Sequence, residues 1–182
     1  MILFEDETTL RMSPPLRAKW AMAGEQAVVR ISGRNARRTL FGAINMGTGR
    51  RIVLRRWRAR QADFQAFLRV LRECHGTLPI ALVLDRSPIH EAIASQALAA
   101  ALGIALIWLP KQCPELNAMD QLWKELKRWM AANRQFDDID EQAEHCERWV
   151  LGLSNEDALR KASVLSDGFW LRLFCKNFCK PT

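Results

Sequence analysis

The sequence predicts an α/β fold in which helices flank a mixed sheet made of an antiparallel meander and parallel strands. Three observations favour this fold. Short β-prone stretches separated by glycines occupy the first third of the chain, helical periodicity begins after residue 60, and two apolar runs bracket an alanine-rich segment. A chain of 182 residues suffices for one domain with a buried core. We therefore expect a single domain over residues 1–182.

The first part of the chain has the pattern of short strands. Residues 1–4 predict a strand that leads into the acidic triplet at 5–7. The sequence Ser13-Pro14-Pro15 then begins a basic loop that extends to Gly24. Three further β-prone stretches predict an antiparallel meander, at residues 26–32, 39–46 and 51–57.

Helical and strand patterns alternate in the rest of the chain. Continuous apolar runs at 79–84 and 104–109 predict strands that are buried on both faces. The alanine-rich segment 88–102 between them predicts a crossover helix, which makes the two strands parallel. Apolar residues with helical spacing predict the remaining helices, at residues 61–74, 119–130 and 140–151.

Charge and cysteine content indicate the class of partner and the compartment. The chain has 27 Lys and Arg against 20 Asp and Glu, a net charge of +7, which favours a polyanionic partner such as nucleic acid. No apolar run approaches the roughly 20 residues that cross a bilayer, and no basic segment precedes the apolar N-terminus. The 5 cysteines form no Cys-x-x-Cys pair. We expect a cytoplasmic protein with reduced cysteines and no membrane contact.

Three carboxylates occupy positions typical of a metal site. Asp6 adjoins the first predicted strand, Asp85 follows the apolar run 79–84, and Asp120 lies in the first turn of a predicted helix. Oxygen ligands suit Mg²⁺, and two such ions can activate a nucleophile and stabilise the leaving oxygen of a phosphodiester. Each carboxylate also has a simpler interpretation, as a strand-end or helix-end charge exposed to solvent.

Three motifs in order resemble the catalytic motifs of the mariner-superfamily transposases, in the bacterial insertion-sequence branch. The first is Phe4-Glu5-Asp6-Glu7, and the second is Leu82-Val83-Leu84-Asp85 with His90 beyond it. The third is Cys113-Pro114-Glu115-Leu116-Asn117-Ala118-Met119-Asp120-Gln121-Leu122-Trp123, followed by Lys127. The spacing of 34 residues between Asp85 and Asp120 defines one class in that superfamily.

The resemblance implies a ribonuclease-H-like DDE or DDD transposase domain that cleaves transposon ends and joins them to target DNA. Asp6, Asp85 and Asp120 would be catalytic and would hold two Mg²⁺ or Mn²⁺ ions. Residues expected to support these acids are Glu7, His90 and Asn117. Residues expected to contact DNA are Arg86, Lys124, Lys127 and Arg128, with Trp20 as a candidate for base stacking.

Two substitutions depart from the family pattern. Asp120 stands where bacterial members usually have Glu, and Arg86 stands where an Asn usually follows the second Asp. The permanent charge of Arg86 would either compete with the metal or contact the scissile phosphate. An inactive remnant that retains the fold and DNA binding is therefore the alternative to an enzyme.

The resemblance also implies partners. Family members carry an N-terminal helix-turn-helix region that recognises the transposon ends, and this chain begins directly on the first catalytic strand. We expect either a fragment or the second product of a split reading frame, with the helix-turn-helix protein encoded upstream. The family also implies a homodimer.

Overall fold

A five-stranded mixed sheet organises the chain. The computed structural model describes residues 1–12, 24, 35–128 and 136–171. The sheet has the order β3-β2-β1-β4-β5. Its strands are β1 Ile2–Arg11, β2 Arg37–Asn45, β3 Arg51–Arg56, β4 Ile80–Leu84 and β5 Ile104–Trp108. The predicted mixed sheet is confirmed.

Both kinds of strand pairing occur in this sheet. β1 pairs antiparallel with β2, and β2 pairs antiparallel with β3, which gives the meander. β1 pairs parallel with β4, and β4 pairs parallel with β5. The C-terminal ends of β1, β3, β4 and β5 consequently lie at the same edge of the sheet, which we call the carboxyl edge.

Helices cover both faces of the sheet. The helices are α1 Gln61–His75, α2 Pro88–Glu91, α3 Ile93–Ala101, α4 Ala118–Leu126, α5 Ile139–Gly152 and α6 Asn155–Lys161, with a 3-10 turn at Pro114–Leu116. One apolar core lies between the sheet and α1 and α3, and a second lies between the sheet and α4, α5 and α6. Among the described residues, no helix is both long and apolar enough to cross a membrane.

Several element boundaries differ from the prediction. β1 does not end at Phe4 but extends through the acidic triplet to Arg11, because β2 pairs with it over its whole length from Leu3. The meander accordingly uses β1 as its first strand. The predicted strand at 26–32 and the loop at 13–23 lie outside the described residues. Nothing in the sequence analysis anticipated α6.

The crossover region also differs from the prediction. Ala92 has ψ of 129°, an extended value that separates α2 from α3, so the predicted helix 88–102 is two helices. β5 is not buried on both faces, and Ile107 is 46% exposed because β5 is the outermost strand. An apolar run alone does not distinguish a central strand from an edge strand.

Gly42 permits α4 to approach the sheet closely. It lies in β2 directly opposite Asp6 of β1. A Cβ atom at this position would overlap the indole of Trp123 and would lie 2.5 Å from Cε of Met119. Both of these α4 side chains are buried. The lack of a side chain at Gly42 therefore sets the distance between α4 and the strand that carries Asp6.

We expect Gly42→Ala to destabilise the fold, because the added methyl group overpacks a filled core. The expected loss is about 1–3 kcal/mol of unfolding free energy. Urea denaturation monitored by tryptophan fluorescence measures it. Gly152→Ala is the matched control, since a Cβ atom there meets nothing within 4 Å. Equal stability of Gly42→Ala and Gly152→Ala would contradict the close approach.

Candidate active site

The three predicted acids line one cavity at the carboxyl edge. The parallel register places Phe4 of β1 beside Val83 of β4, so Asp6 and Asp85, each two residues further on, extend to the same level. Asp120 lies in the first turn of α4. The cavity has a volume of about 510 Å³, and the loop 109–114 forms one of its walls. The structure thus brings together residues that are far apart in sequence.

The cavity is strongly unfavourable for the charge on Asp6. Burial raises the pKa of Asp6 to about 8, and the negative charges of Glu7, Asp120 and Asp85 contribute further. Carboxylates that disfavour one another's ionisation are stabilised by a bound cation. A set of carboxylate oxygen donors around one cavity fits a hard divalent ion such as Mg²⁺. The residues present are therefore suitable for the metal that the sequence predicts.

His90 contacts three acids. Glu5 and Glu7 lie on the face of β1 opposite Asp6, and Asp85 follows β4. Its ring is buried, with Nδ1 at 2.9 Å from Oδ1 of Asp85 and Nε2 at 3.0 Å from Oε1 of Glu7. Burial opposes a charged imidazole, but the charge of Glu5 and the hydrogen bonds to Asp85 and Glu7 outweigh it and raise the pKa of His90. The hydrogen bond from His90 in turn lowers the pKa of Asp85. His90 therefore fixes the orientation of Asp85 and keeps it ionised.

Glu5 is a member of the site that the sequence analysis did not select. It is fully buried, and burial followed by the charge of Glu7 raises its pKa well above the ordinary value. Neither of its carboxylate oxygens accepts a hydrogen bond from the described residues, and Oε2 lies 3.5 Å from Nε2 of His90. Glu5, Glu7 and His90 bring one ligand atom each within 4.8 Å of one another, which suits a shared proton or a cation. The alternation of β1, which places Glu5 on the face of Glu7, is the signal that could have identified it.

Hydrogen bonds to β1 fix the N-terminal end of α4. The side chain of Asn117 caps α4 by accepting from the backbone N–H of Met119 at 3.0 Å, and its Nδ2 donates to the carbonyl of Glu5 at 2.8 Å. Nε1 of Trp123 donates to the carbonyl of Asp6 at 3.2 Å. The two acceptors, the carbonyls of Glu5 and Asp6, lie before and after the Cα atom of Asp6. Asn117 thus joins α4 to β1, and its support of the acids stays a prediction, whereas Trp123 was predicted only as part of an apolar stripe.

Arg86 points along the rim of the cavity rather than into the acids. Its Nη1 lies 3.0 Å from Oε1 of Glu91, and its guanidinium carbon lies 5.6 Å from the centre of the Trp108 ring. Arg86 lines the cavity while its charge is paired outside it. In this geometry the side chain turns away from Asp85.

The other predicted DNA contacts differ in their surroundings. Nζ of Lys124 lies 2.8 Å from Oδ2 of Asp120, so this lysine pairs with a candidate metal ligand. Arg128 pairs with Glu125 one turn earlier, and Lys127 is exposed at the end of α4. Lys111, which the sequence analysis did not select, lines the cavity. Trp20 lies outside the described residues.

Known proteins share both the sequence pattern and the fold. Residues 1–142 match the family described as DDE superfamily endonuclease. The chain is 27% identical over 136 residues to the insertion element IS630 uncharacterized 39 kDa protein of Shigella sonnei, covering 74% of this chain and 40% of that protein. This chain therefore spans well under half the length of that curated relative.

Solved structures of the Mos1 mariner transposase have the same fold. Its isolated catalytic domain matches with a TM-score of 0.64 at 15% identity, covering 90% of this chain and 76% of that one. A paired-end complex of Mos1 with Mg matches with a TM-score of 0.72 at 17% identity, covering 96% of this chain and 55% of that one.

The predicted ribonuclease-H-like fold is confirmed by these matches, and the resemblance from which it was inferred is confirmed by the family match. The three acids of the expected motifs line one cavity, and the family match covers most of the chain. This chain therefore belongs to the DDE superfamily of endonucleases.

Proposed function

We propose that this chain is the catalytic domain of a DNA transposase that hydrolyses phosphodiesters at transposon ends and transfers the strand to target DNA. The observation that carries the proposal is the convergence of Asp6, Asp85 and Asp120 on one open cavity. The match to the IS630 protein and the fold shared with Mos1 support the choice of substrate.

The three acids would hold two Mg²⁺ or Mn²⁺ ions. When bound between such acids, these ions lower the pKa of an attacking water or hydroxyl and stabilise the departing oxygen of the phosphodiester. Asp6 supplies a buried ligand whose charge the neighbouring acids disfavour, so ion binding relieves a repulsion already present in the fold. His90 holds Asp85 in the ionised form that ligation needs.

The basic groups around the cavity would position the DNA strand. Arg86 and Lys111 line its rim, where each can contact a phosphate. Lys124 forms an ion pair with Asp120. If Asp120 bound a metal ion instead, the charge of Lys124 would become available to a DNA phosphate. In the hydrolytic step, water forms a bond to phosphorus, the bond to the 3′ oxygen breaks, and that oxygen leaves as a hydroxyl. This 3′ hydroxyl then attacks a target phosphodiester in the same way.

The proposal includes the partners that the resemblance implies. End recognition would come from a helix-turn-helix protein encoded upstream in a split reading frame, and the active assembly would be a homodimer. The inactive remnant is the weaker alternative, because Arg86 pairs with Glu91 instead of occupying the space beside the acids.

We expect Mg²⁺ to raise the melting temperature of the protein, since a bound ion offsets the repulsion among the acids. At a tenfold excess over the dissociation constant the stabilisation is about 1.4 kcal/mol. Asp6→Asn should lose this shift while the metal-free protein remains at least as stable, because a neutral amide removes the repulsion. Differential scanning calorimetry measures both effects. Asp167→Asn, at an exposed position, is the control that should keep the shift. An equal shift in wild type and Asp6→Asn would exclude the site.

We expect metal-dependent DNA cleavage that requires the acids. The substrate is a supercoiled plasmid that carries the gene with its flanking DNA, and the helix-turn-helix protein encoded upstream is added. Asp85→Asn and Asp120→Asn should each reduce nicking on the order of a hundredfold or more, because several kcal/mol of charge stabilisation is lost. Gel electrophoresis measures the nicked product. Wild-type activity no greater than that of Asp85→Asn would favour the inactive remnant.

We expect Arg86→Asn to leave Mg²⁺ affinity unchanged and to weaken DNA binding or turnover. The reason is that Arg86 already pairs with Glu91 away from Asp85, so its removal does not alter the field at the metal ligands. Titration calorimetry without DNA measures the metal affinity, and Arg86→Lys tests the need for charge alone. A tenfold gain in Mg²⁺ affinity would instead show that Arg86 damages the site.

A further inference from the structure

The end of β3 carries a dense cluster of arginines around an exposed tryptophan. Residues 55–60 read Arg-Arg-Trp-Arg-Ala-Arg, with 4 arginines in 6 residues. Trp57 is 73% exposed, although a large aromatic ring is normally placed where it buries apolar area. This segment has no part in the cavity described above, so its composition needs a separate explanation.

Trp57 lies at the same edge of the sheet as the candidate active site. Arg56 of β3 pairs with Thr39 of β2, so β3 ends close to the beginning of β2. β1 and β3 both run antiparallel to β2, and β4 runs parallel to β1. Trp57 and Asp85, which follow β3 and β4 respectively, therefore both lie at the carboxyl edge. A strand of DNA in the cavity could continue along this edge to Trp57.

The ring of Trp57 is held rigidly despite its exposure. The guanidinium carbon of Arg38 lies 3.6 Å from the ring centre. Arg38 is itself buried and makes two bonds to Asp140 of α5, from Nε at 2.7 Å and from Nη2 at 2.6 Å. One face of the indole thus rests on a fixed, bidentate ion pair, and the rest of the ring is open. Such a fixed ring can stack on a ligand with little loss of conformational freedom.

Further arginines adjoin Trp57, in the chain after it and at the start of the neighbouring strand β2. Arg37, Arg58 and Arg60 are exposed, and within the described residues none of their side chains forms an ion pair with a carboxylate. Arg55 donates to the backbone carbonyl of Asp140 in α5, and its charge also lowers the pKa of the Asp140 carboxyl. Several guanidinium groups around an aromatic ring are complementary to a phosphate backbone with accessible bases. The same surface on a second copy of this basic chain would be repelled.

We propose that Trp57 and the adjacent Arg37, Arg58 and Arg60 form a binding surface for single-stranded DNA, in which the indole stacks on an unpaired base. This proposal rests on the proposed function, because it supplies a path for the strand that leaves the cavity. Single-stranded DNA is the expected occupant because a base inside a duplex is already stacked on both faces. Aromatic stacking is tolerant of sequence, so the surface would hold the strand without reading it.

The test is binding of a fluorescein-labelled oligothymidylate, measured by anisotropy in EDTA so that no cleavage takes place. Trp57→Ala should weaken binding about five- to a hundredfold, and Trp57→Phe should retain most of the affinity. Leu78→Ala is the matched control, because Leu78 is a similarly exposed apolar side chain that precedes β4 at the opposite edge. Circular dichroism should show unchanged folding, since Trp57 is exposed.

The charge contribution is tested separately through salt dependence. Changing both Arg58 and Arg60 to Gln should reduce the slope of log affinity against log salt by about 1.4, because each contact to a single strand contributes about 0.7. Trp57→Ala should leave that slope unchanged. Wild-type affinity in Trp57→Ala, or a change of oligomeric state in light scattering without a change in DNA affinity, would overturn the proposal.

These outcomes are distinct from a failure of the proposed function. Asp85→Asn should bind the oligonucleotide in EDTA as the wild type does, and should lose nicking. If the wild type fails to nick but Trp57→Ala still loses oligonucleotide binding, the chain is a DNA-binding remnant and the surface remains. If nicking occurs but Trp57→Ala binds the oligonucleotide as tightly as the wild type, the proposed function stands and the proposed DNA-binding surface is wrong.

Discussion

The parallel pairing of β1 with β4 is the constraint on which the site depends. Its register sets Asp6 level with Asp85, and β1 is also paired with β2 along almost its whole length. A shift of one residue would turn Asp6 to the face of α1 and Glu5 or Glu7 to the face of α4, because side chains alternate along a strand. Two ladders resist that shift. The bonds from Asn117 and Trp123 to the β1 carbonyls then place Asp120 against the same strand.

Around the end of β1, the described residues bring together more carboxyl groups than the neighbouring cations His90 and Lys124 can pair with. Glu5 and Asp6 are both held with raised pKa values, and His90 is the buried cation that the described residues place between Glu5, Glu7 and Asp85. Isolated buried charges are costly, so such an arrangement persists only where rigid packing enforces it. Arg86, by contrast, lies at the rim of the cavity, and Arg58 and Arg60 follow the end of β3. A cation at the centre and a phosphate backbone along the edge are the ligands that this distribution favours.

Local pattern predicted most elements correctly, and its failures have identifiable causes. The helical stripe of Phe64, Phe67 and Leu71 fixed α1 within one residue of its observed end. The predicted end of β1 at Phe4 was wrong because β2 continues to pair with the polar residues of β1 beyond Phe4, where the pairing with β4 ends. The break at Ala92 was not predicted, since alanine favours helix. Similarly, no pattern distinguished the exposed β5 from the central β4.

The sequence by itself determined the mixed α/β class, the family resemblance and the identity of the three acids, because these depend on periodicity and on motifs in order along the chain. Only the tertiary structure decided that Glu5 joins His90 and that Gly42 admits Trp123. It also decided that Trp57 rests on Arg38 at the edge that holds Asp85. The physical reason is that each of these contacts joins different elements, so distance and direction arise only when the sheet register and the helix packing are fixed.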